Sequence, residues 1–167
     1  MRLAILGARP DRITVTGDPR YDAVLERIST GPAPTRNQTT LVAGSTWPRD
    51  ERVLLESFAR VHARRPEARL ILVPHEPSPG GVKRIRAHAR ALHLPEPRPL
   101  GEFAAGHALV VAEEVGPLAL LYGAGGMAYV GGGFGGAGLH SVVEPAGWSV
   151  PIIVGPRHSD NADAARL

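Results

Sequence analysis

Residues 127–138 read Met-Ala-Tyr-Val-Gly-Gly-Gly-Phe-Gly-Gly-Ala-Gly. A short β-rich run, Met127–Val130, breaks into a stretch where six of the eight residues 131–138 are glycine. Glycine loses more conformational freedom on folding than any other residue, so a run this dense answers a demand for close backbone approach. Leu139-His140-Ser141-Val142-Val143-Glu144-Pro145 follows, and a helix is predicted over 139–147. Strand, glycine loop and helix in that order are the repeating unit of a parallel α/β sheet.

The same alternation runs outward to both ends. Strands are predicted at 12–17, 39–44, 69–74, 107–112, 127–130 and 151–154. Helices are predicted at 19–29, 50–64, 79–94, 116–122 and 139–147, the second of them with Val53, Leu54, Ser57, Phe58 and Val61 at helical spacing. Pro79 opens the third, as suits a first helical turn. Strands rich in Val, Ile and Leu between helices predict a sheet covered on both faces. The expected fold is α/β, a Rossmann-like doubly wound parallel sheet, with residues 1–167 as a single domain. In such sheets ligands sit beyond the carboxyl ends of the strands. Five strand ends carry the unusual residues: Gly44-Ser45-Thr46-Trp47, His75-Glu76, Glu113-Glu114, Gly131 to Gly138, and Gly155-Pro156-Arg157-His158. One site along that edge is the expectation.

Composition excludes several classes. With no cysteine, neither disulfides nor a thiolate metal site can serve the fold. No run reaches the roughly 18 apolar residues of a membrane span. The opening Met-Arg-Leu-Ala-Ile-Leu-Gly-Ala-Arg-Pro is broken too early for a secretory signal, so a cytoplasmic location is expected. A net charge of +3 and 5% aromatic content give no basis for a nucleic-acid partner. Of 19 basic residues only Lys83 is lysine. The arginine fork suits phosphate and carboxylate, and a GC-rich genome produces the same bias. Both termini look cut, and the expectation is a domain from a longer protein.

The candidate chemistry sits at the strand ends. Gly44-Ser45-Thr46 can offer backbone N–H groups and hydroxyls to a phosphate, or form an N-cap turn. His75 can bond a base or a phosphate, or close a loop. Glu113 and Glu114 form a carboxylate pair, at least one of which reads as a solvated or helix-capping acid. The glycine loop leads into a predicted helix N-terminus, a setting for an anion. Glu144 lies four residues after His140, hence on the same predicted helix face, where a carboxylate can accept from a ribose diol or simply offset the helix dipole. Walker-type GxxxxGKS/T, HExxH and GxSxG are absent, which gives no support to a metal site or a serine hydrolase, and the glycine loop is not read as a dinucleotide fingerprint, GxGxxG with its acid about 20 residues on.

These residues resemble a known family. The glycine loop running into His140-x-x-x-Glu144-Pro145-Ala146 resembles the nucleotide-sugar half of GT-B glycosyltransferases. More narrowly, the chain resembles the C-terminal domain of the 3-deoxy-D-manno-octulosonic acid (Kdo) transferases. VTGDPRYD (residues 15–22) is similar to that family's VTGN-x-K-F/Y-D, GSTWPRDE (44–51) to its GST-x-x-x-E-E, and VPHEP (73–77) to its A/V-P-R/H motif. The segment 113–158 is similar to the family's final block of motifs, with Ser141 where the family has Asn, Pro117 where it has an acid, and a loose match at Asp160-Asn161-Ala162.

The resemblance implies a CMP-Kdo or CMP ligand, a lipid A precursor as acceptor, the cytoplasmic face of the inner membrane as the working surface, and no cofactor or bound metal. It implies that Ser45 and Thr46 meet the donor phosphate beside Gly44, and that Gly131, Gly132, Gly133 and Gly138 let the nucleotide approach. His140 and Ser141 would lie near phosphate or sugar, Glu144 would hold the ribose hydroxyls, and Pro74 and His75 would sit near cytosine. The catalytic base is expected in an N-terminal domain outside this chain, so the domain alone should bind without turnover. A UDP-sugar GT-B transferase or epimerase, and a non-catalytic nucleotide-binding module, are the alternatives. The basic stretch Val82–Arg90 reads as a solvated face or as a surface for anionic lipid.

Overall fold

The structure is a computed structural model that describes residues 2–32, 34–114, 116 and 118–167, with the side chains of residues 2 and 103–105 left aside. Six strands form one sheet: β1 (Asn37–Thr46), β2 (Arg69–Pro74), β3 (Arg98–Pro99), β4 (Leu109–Val111), β5 (Gly125–Val130) and β6 (Ile152–Val154). Their order is β3-β4-β2-β1-β5-β6, and every pairing is parallel. The helices are α1 (Arg2–Ile5), α2 (Pro19–Thr30), α3 (Pro48–His62), α4 (Pro79–Ala91), α5 (Leu118–Ala124) and α6 (Val143–Gly147).

The central strands are apolar on both faces because both faces are covered. Leu70, Ile71 and Leu72 are each 0% exposed although successive side chains point to opposite sides. Ala43, Leu70, Leu72, Leu109, Val111 and Tyr129 pack with Leu54, Leu55 and Phe58 of α3 and Val82, Ile85 and Ala89 of α4. Val42, Ile71, Val73, Val110, Ala128 and Val130 form the opposite layer with Tyr122 of α5, Val142 and Val150. Each fully buried Leu, Ile, Val or Phe side chain contributes about 1.5–3 kcal/mol, so these two layers carry the fold.

From β1 the chain steps to β2, jumps to the edge at β3, returns to insert β4 between β3 and β2, and then crosses back to lay β5 along the other side of β1. The strand order therefore reverses between β1 and β5. A crevice outside the carboxyl ends of these two strands is the place such sheets use for ligands.

Four expectations need correction. Residues 12–17 form no strand: a 3₁₀ turn covers Pro10–Arg12, and Val15 is 85% exposed. Alternating Ile-Thr-Val-Thr has strand propensity, but that propensity is expressed only when a ladder partner is present. The sixth strand is instead Arg98–Pro99, a two-residue edge strand in a segment read as a proline-rich loop; proline is tolerated at an edge. The helix at 79–94 is shorter, because His93 takes a left-handed φ of 55° just past its end. The helix expected from Leu139 begins only at Val143. The carbonyls of Leu139 and His140 accept from Asn161 Nδ2 at 3.3 and 3.1 Å, which draws them out of any helical ladder. Pro117, in the helix predicted over 116–122, lies outside the described residues.

Candidate functional site

At the end of β1 the register against β2 shifts between Gly44 and Thr46, and Ser45 takes a left-handed φ of 51°. This bulge turns the chain into α3. The carbonyl of Thr46 accepts from His75 N at 2.9 Å, so Pro74 and His75 are joined to the β1 end. Thr46 is 2% exposed, and its hydroxyl has no hydrogen-bond partner among the described residues. Leaving a buried hydroxyl unpaired costs about 1–3 kcal/mol, which makes it a feature in need of a partner.

The glycine loop crosses directly over that bulge. A Cβ on Gly131 would meet the Ser45 carbonyl, one on Gly132 the Gly138 carbonyl, and one on Gly133 the backbone of Gly155 at 2.7 Å. The first three glycines thus admit the chain's own backbone. Gly132 also has a φ of 100°, a conformation that suits glycine. Among the described residues, nothing lies within 4 Å of a Cβ position at Gly136 or Gly138, so this part of the loop faces open space. Arg157 N donates to the Gly133 carbonyl at 3.0 Å and its guanidinium to the Gly135 carbonyl at 3.4 Å, which places a cation beside the loop.

Three rings gather over the edge. Trp47 and His75 have centroids 4.9 Å apart, His75 and His140 4.2 Å, and Trp47 and His140 6.3 Å. Trp47 Nε1–H donates to His140 Nε2 at 3.1 Å. That nitrogen must then be unprotonated, leaving Nδ1 to carry the proton of the neutral ring. Burial, helped by the neighbouring His75, holds the His140 pKa below its usual value, against a weaker pull from Asp50.

Glu144 occupies the other flank. Since α6 starts at Val143, His140 and Glu144 do not share a helix face, and the inference from their spacing falls. Ser141 Oγ accepts from Val143 N at 3.3 Å, a local turn just ahead of the helix. Glu144 accepts from Arg27 of α2 at 3.1 Å and is partly buried, with a pKa raised by burial and eased by Arg27. Its charge also acts on Tyr122, whose hydroxyl fills the space above Gly44. Glu113 stays exposed in an ion pair with Arg86.

Asp50 is the residue that sequence reading missed. It is 0% exposed, and it accepts from Trp47 N at 2.8 Å, Gly132 N at 3.0 Å and the Tyr129 hydroxyl at 2.6 Å. Trp-Pro-x-Asp does carry a local signal, with proline at N1 and an acid at N3 of a helix. Its partners 79 and 82 residues away have no such signal.

Taken together, the reversal point, the turned β1 end and the open half of the loop mark a candidate ligand site on a doubly wound α/β domain of the Rossmann-like type. No protein-family model matches the chain. It is 27% identical over 167 residues to the 3-deoxy-D-manno-octulosonic acid transferase of Haemophilus influenzae, covering 96% of this chain and 39% of that protein. The Bordetella pertussis transferase is 25% identical over 173 residues, with 99% and 40% covered. That of Aquifex aeolicus is 31% identical over 116 residues, with 70% and 31% covered. The chain is thus similar to Kdo transferases over nearly all of its own length, and it spans about two fifths of the length of the first two relatives. A solved structure described as the C-terminal CMP-Kdo binding domain of WaaA from Acinetobacter baumannii has the same fold. Its TM-score is 0.65 at 21% identity, with 87% of this chain and 75% of that one aligned.

Proposed function

We propose that this chain is the C-terminal, donor-binding domain of a GT-B glycosyltransferase that moves Kdo from CMP-Kdo to a lipid A precursor. The observation that carries the reading is the meeting of the Ser45–Thr46 turn, His75, His140 and the open half of the glycine loop at the strand-order reversal. Similarity to Kdo transferases over nearly the whole chain supports the choice of donor.

In this reading the unpaired Thr46 hydroxyl and the His140 Nδ1–H donate to the donor phosphate. Glu144 accepts from the ribose hydroxyls, in competition with Arg27. His75 and the backbone at Pro74 lie against the cytosine. Transfer forms a bond from the acceptor oxygen to the anomeric carbon as the bond to the phosphate oxygen breaks, with inversion. CMP leaves with the electron pair, and a base outside this chain takes the acceptor proton. This domain contributes position and stabilisation of the leaving phosphate, so alone it binds without turnover. No cofactor enters this scheme.

The acceptor is a lipid, so the whole enzyme would work at the cytoplasmic face of the inner membrane. No described helix is long and apolar enough to cross a membrane. Helix α4 is a poor candidate for the lipid contact, because Arg84, Arg86 and Arg90 pair with Glu51, Glu113 and Glu96.

Calorimetric titration of the chain with CMP, CDP, UMP and UDP tests the reading. Preference for the cytidine nucleotides is expected. Preference for UDP would reassign the domain to another GT-B enzyme, and no binding of any nucleotide would overturn the donor role.

A further inference from the structure

Asp50 sits behind the proposed site rather than in it. Its carboxylate is sealed from solvent, and its three donors are all neutral: two backbone N–H groups and a phenol. A charge buried among neutral groups costs several kcal/mol unless hydrogen bonds satisfy it, so an apolar side chain would fill the same space at less cost. What the carboxylate adds is connection. Oδ2 joins the first turn of α3 to the glycine loop, and Oδ1 ties both to β5. These are the two sides of the β1/β5 reversal.

The consequences reach the site by two routes. Through Trp47 N, Asp50 fixes the residue whose indole fixes His140. Through Gly132 N, it fixes the left-handed residue on which the loop turns. It also occupies positions a ligand would otherwise use. The Gly132 and Trp47 N–H groups are spent, and the α3 N-terminus already holds an internal anion.

We propose that Asp50 is the positioning residue of the donor edge: its hydrogen bonds lock the glycine loop to the β1–α3 turn, and they direct the donor phosphate to the open side of the loop, toward Gly136, Gly138 and His140. This rests on the donor-binding reading above.

The test compares Asp50→Asn with Asp50→Ala in a Trp148→Phe background, where Trp47 is the one remaining tryptophan. An asparagine oxygen can still accept both backbone N–H groups while its amide donates to the Tyr129 oxygen. CMP affinity within about 3-fold of the parent is therefore expected for Asn, against a loss of about 10-fold or more for Ala. Trp47 emission should shift in the alanine variant and stay in place in the asparagine variant. Unchanged CMP affinity and emission in a folded alanine variant would overturn the proposal. So would an equal loss in both variants, which would mean that charge, not geometry, is at work.

If the alanine variant does not fold, amide exchange in the parent decides. Protection of Gly132 N–H well above that of Gly136 supports the lock, and equal exchange overturns it. If the parent itself binds no CMP, the donor reading fails, while Trp47 emission and amide exchange still judge Asp50.

Discussion

Trp47 Nε1 donates to His140 Nε2 across 3.1 Å, a contact that only an unprotonated Nε2 can make. A protonated His140 carries hydrogens on both nitrogens and cannot accept from the indole. Burial and His75 already depress its pKa below 6.5. The unfolded chain therefore takes up the proton first as pH falls, and the folded state loses stability from about pH 6.5 downward, through the folded pKa. Thermal unfolding from pH 7.5 to 5 should show this slope, and His140→Gln should flatten it. An identical slope in the variant would assign the effect elsewhere.

Glu144 separates binding from stability. Its pKa is raised by burial, so the folded state holds the proton more tightly than the unfolded one. Between about 4.5 and the folded pKa, this residue's contribution to stability falls as pH rises. Glu144→Gln removes that penalty, so its melting temperature at pH 7 should equal or exceed the parent's. CMP affinity should fall by about 10-fold, one good charge-assisted hydrogen bond. A variant that binds CMP as the parent does would remove Glu144 from the ribose.

The two halves of the glycine loop should answer alanine differently. Gly132→Ala meets both a positive φ and the Gly138 carbonyl, and a loss of about 3 kcal/mol or more is expected in denaturant unfolding. Gly136→Ala has open space and should change stability by no more than about 0.5 kcal/mol. On the proposed donor-binding reading a methyl group there would meet the ligand, so CMP titration of this variant tests the open face.

What the sequence reveals and conceals follows from the range of each interaction. Arg69–Pro74 stands in the structure with the bounds the sequence suggests, since a continuous apolar run flanked by helices has one reading. Residues 12–17 have the same local chemistry as a strand but find no edge to pair with. The glycine run announces close approach without saying to what; its first half serves Ser45, Gly138 and Gly155 of the same chain. His140 and Glu144 look like helix neighbours until Asn161, some 20 residues on, unwinds the first turn. The role of Asp50 depends on Tyr129 and Gly132, contacts that exist only once β1 and β5 lie side by side.

Arg84 and Glu51 offer a test of the outer packing. Glu51 is 4% exposed in its side chain, and its carboxylate meets Arg84 of α4 at 2.8 Å. Burial raises the Glu51 pKa, and Arg84 pulls it back. Removing the guanidinium leaves a buried carboxylate without its cation, a change that costs about 3–5 kcal/mol in a fully buried pair. Because Arg84 is half exposed, the expected loss for Arg84→Ala is smaller, about 1–2 kcal/mol at pH 7. With the carboxylate pKa driven further up in the variant, its acid takes up the proton at a higher pH than the parent's, so the loss should be smaller at pH 5 than at pH 7. Urea titrations of parent and variant at the two pH values measure this directly. A loss that does not change with pH would mean that Arg84 acts through the packing of its stem against α3, and not through the Glu51 charge.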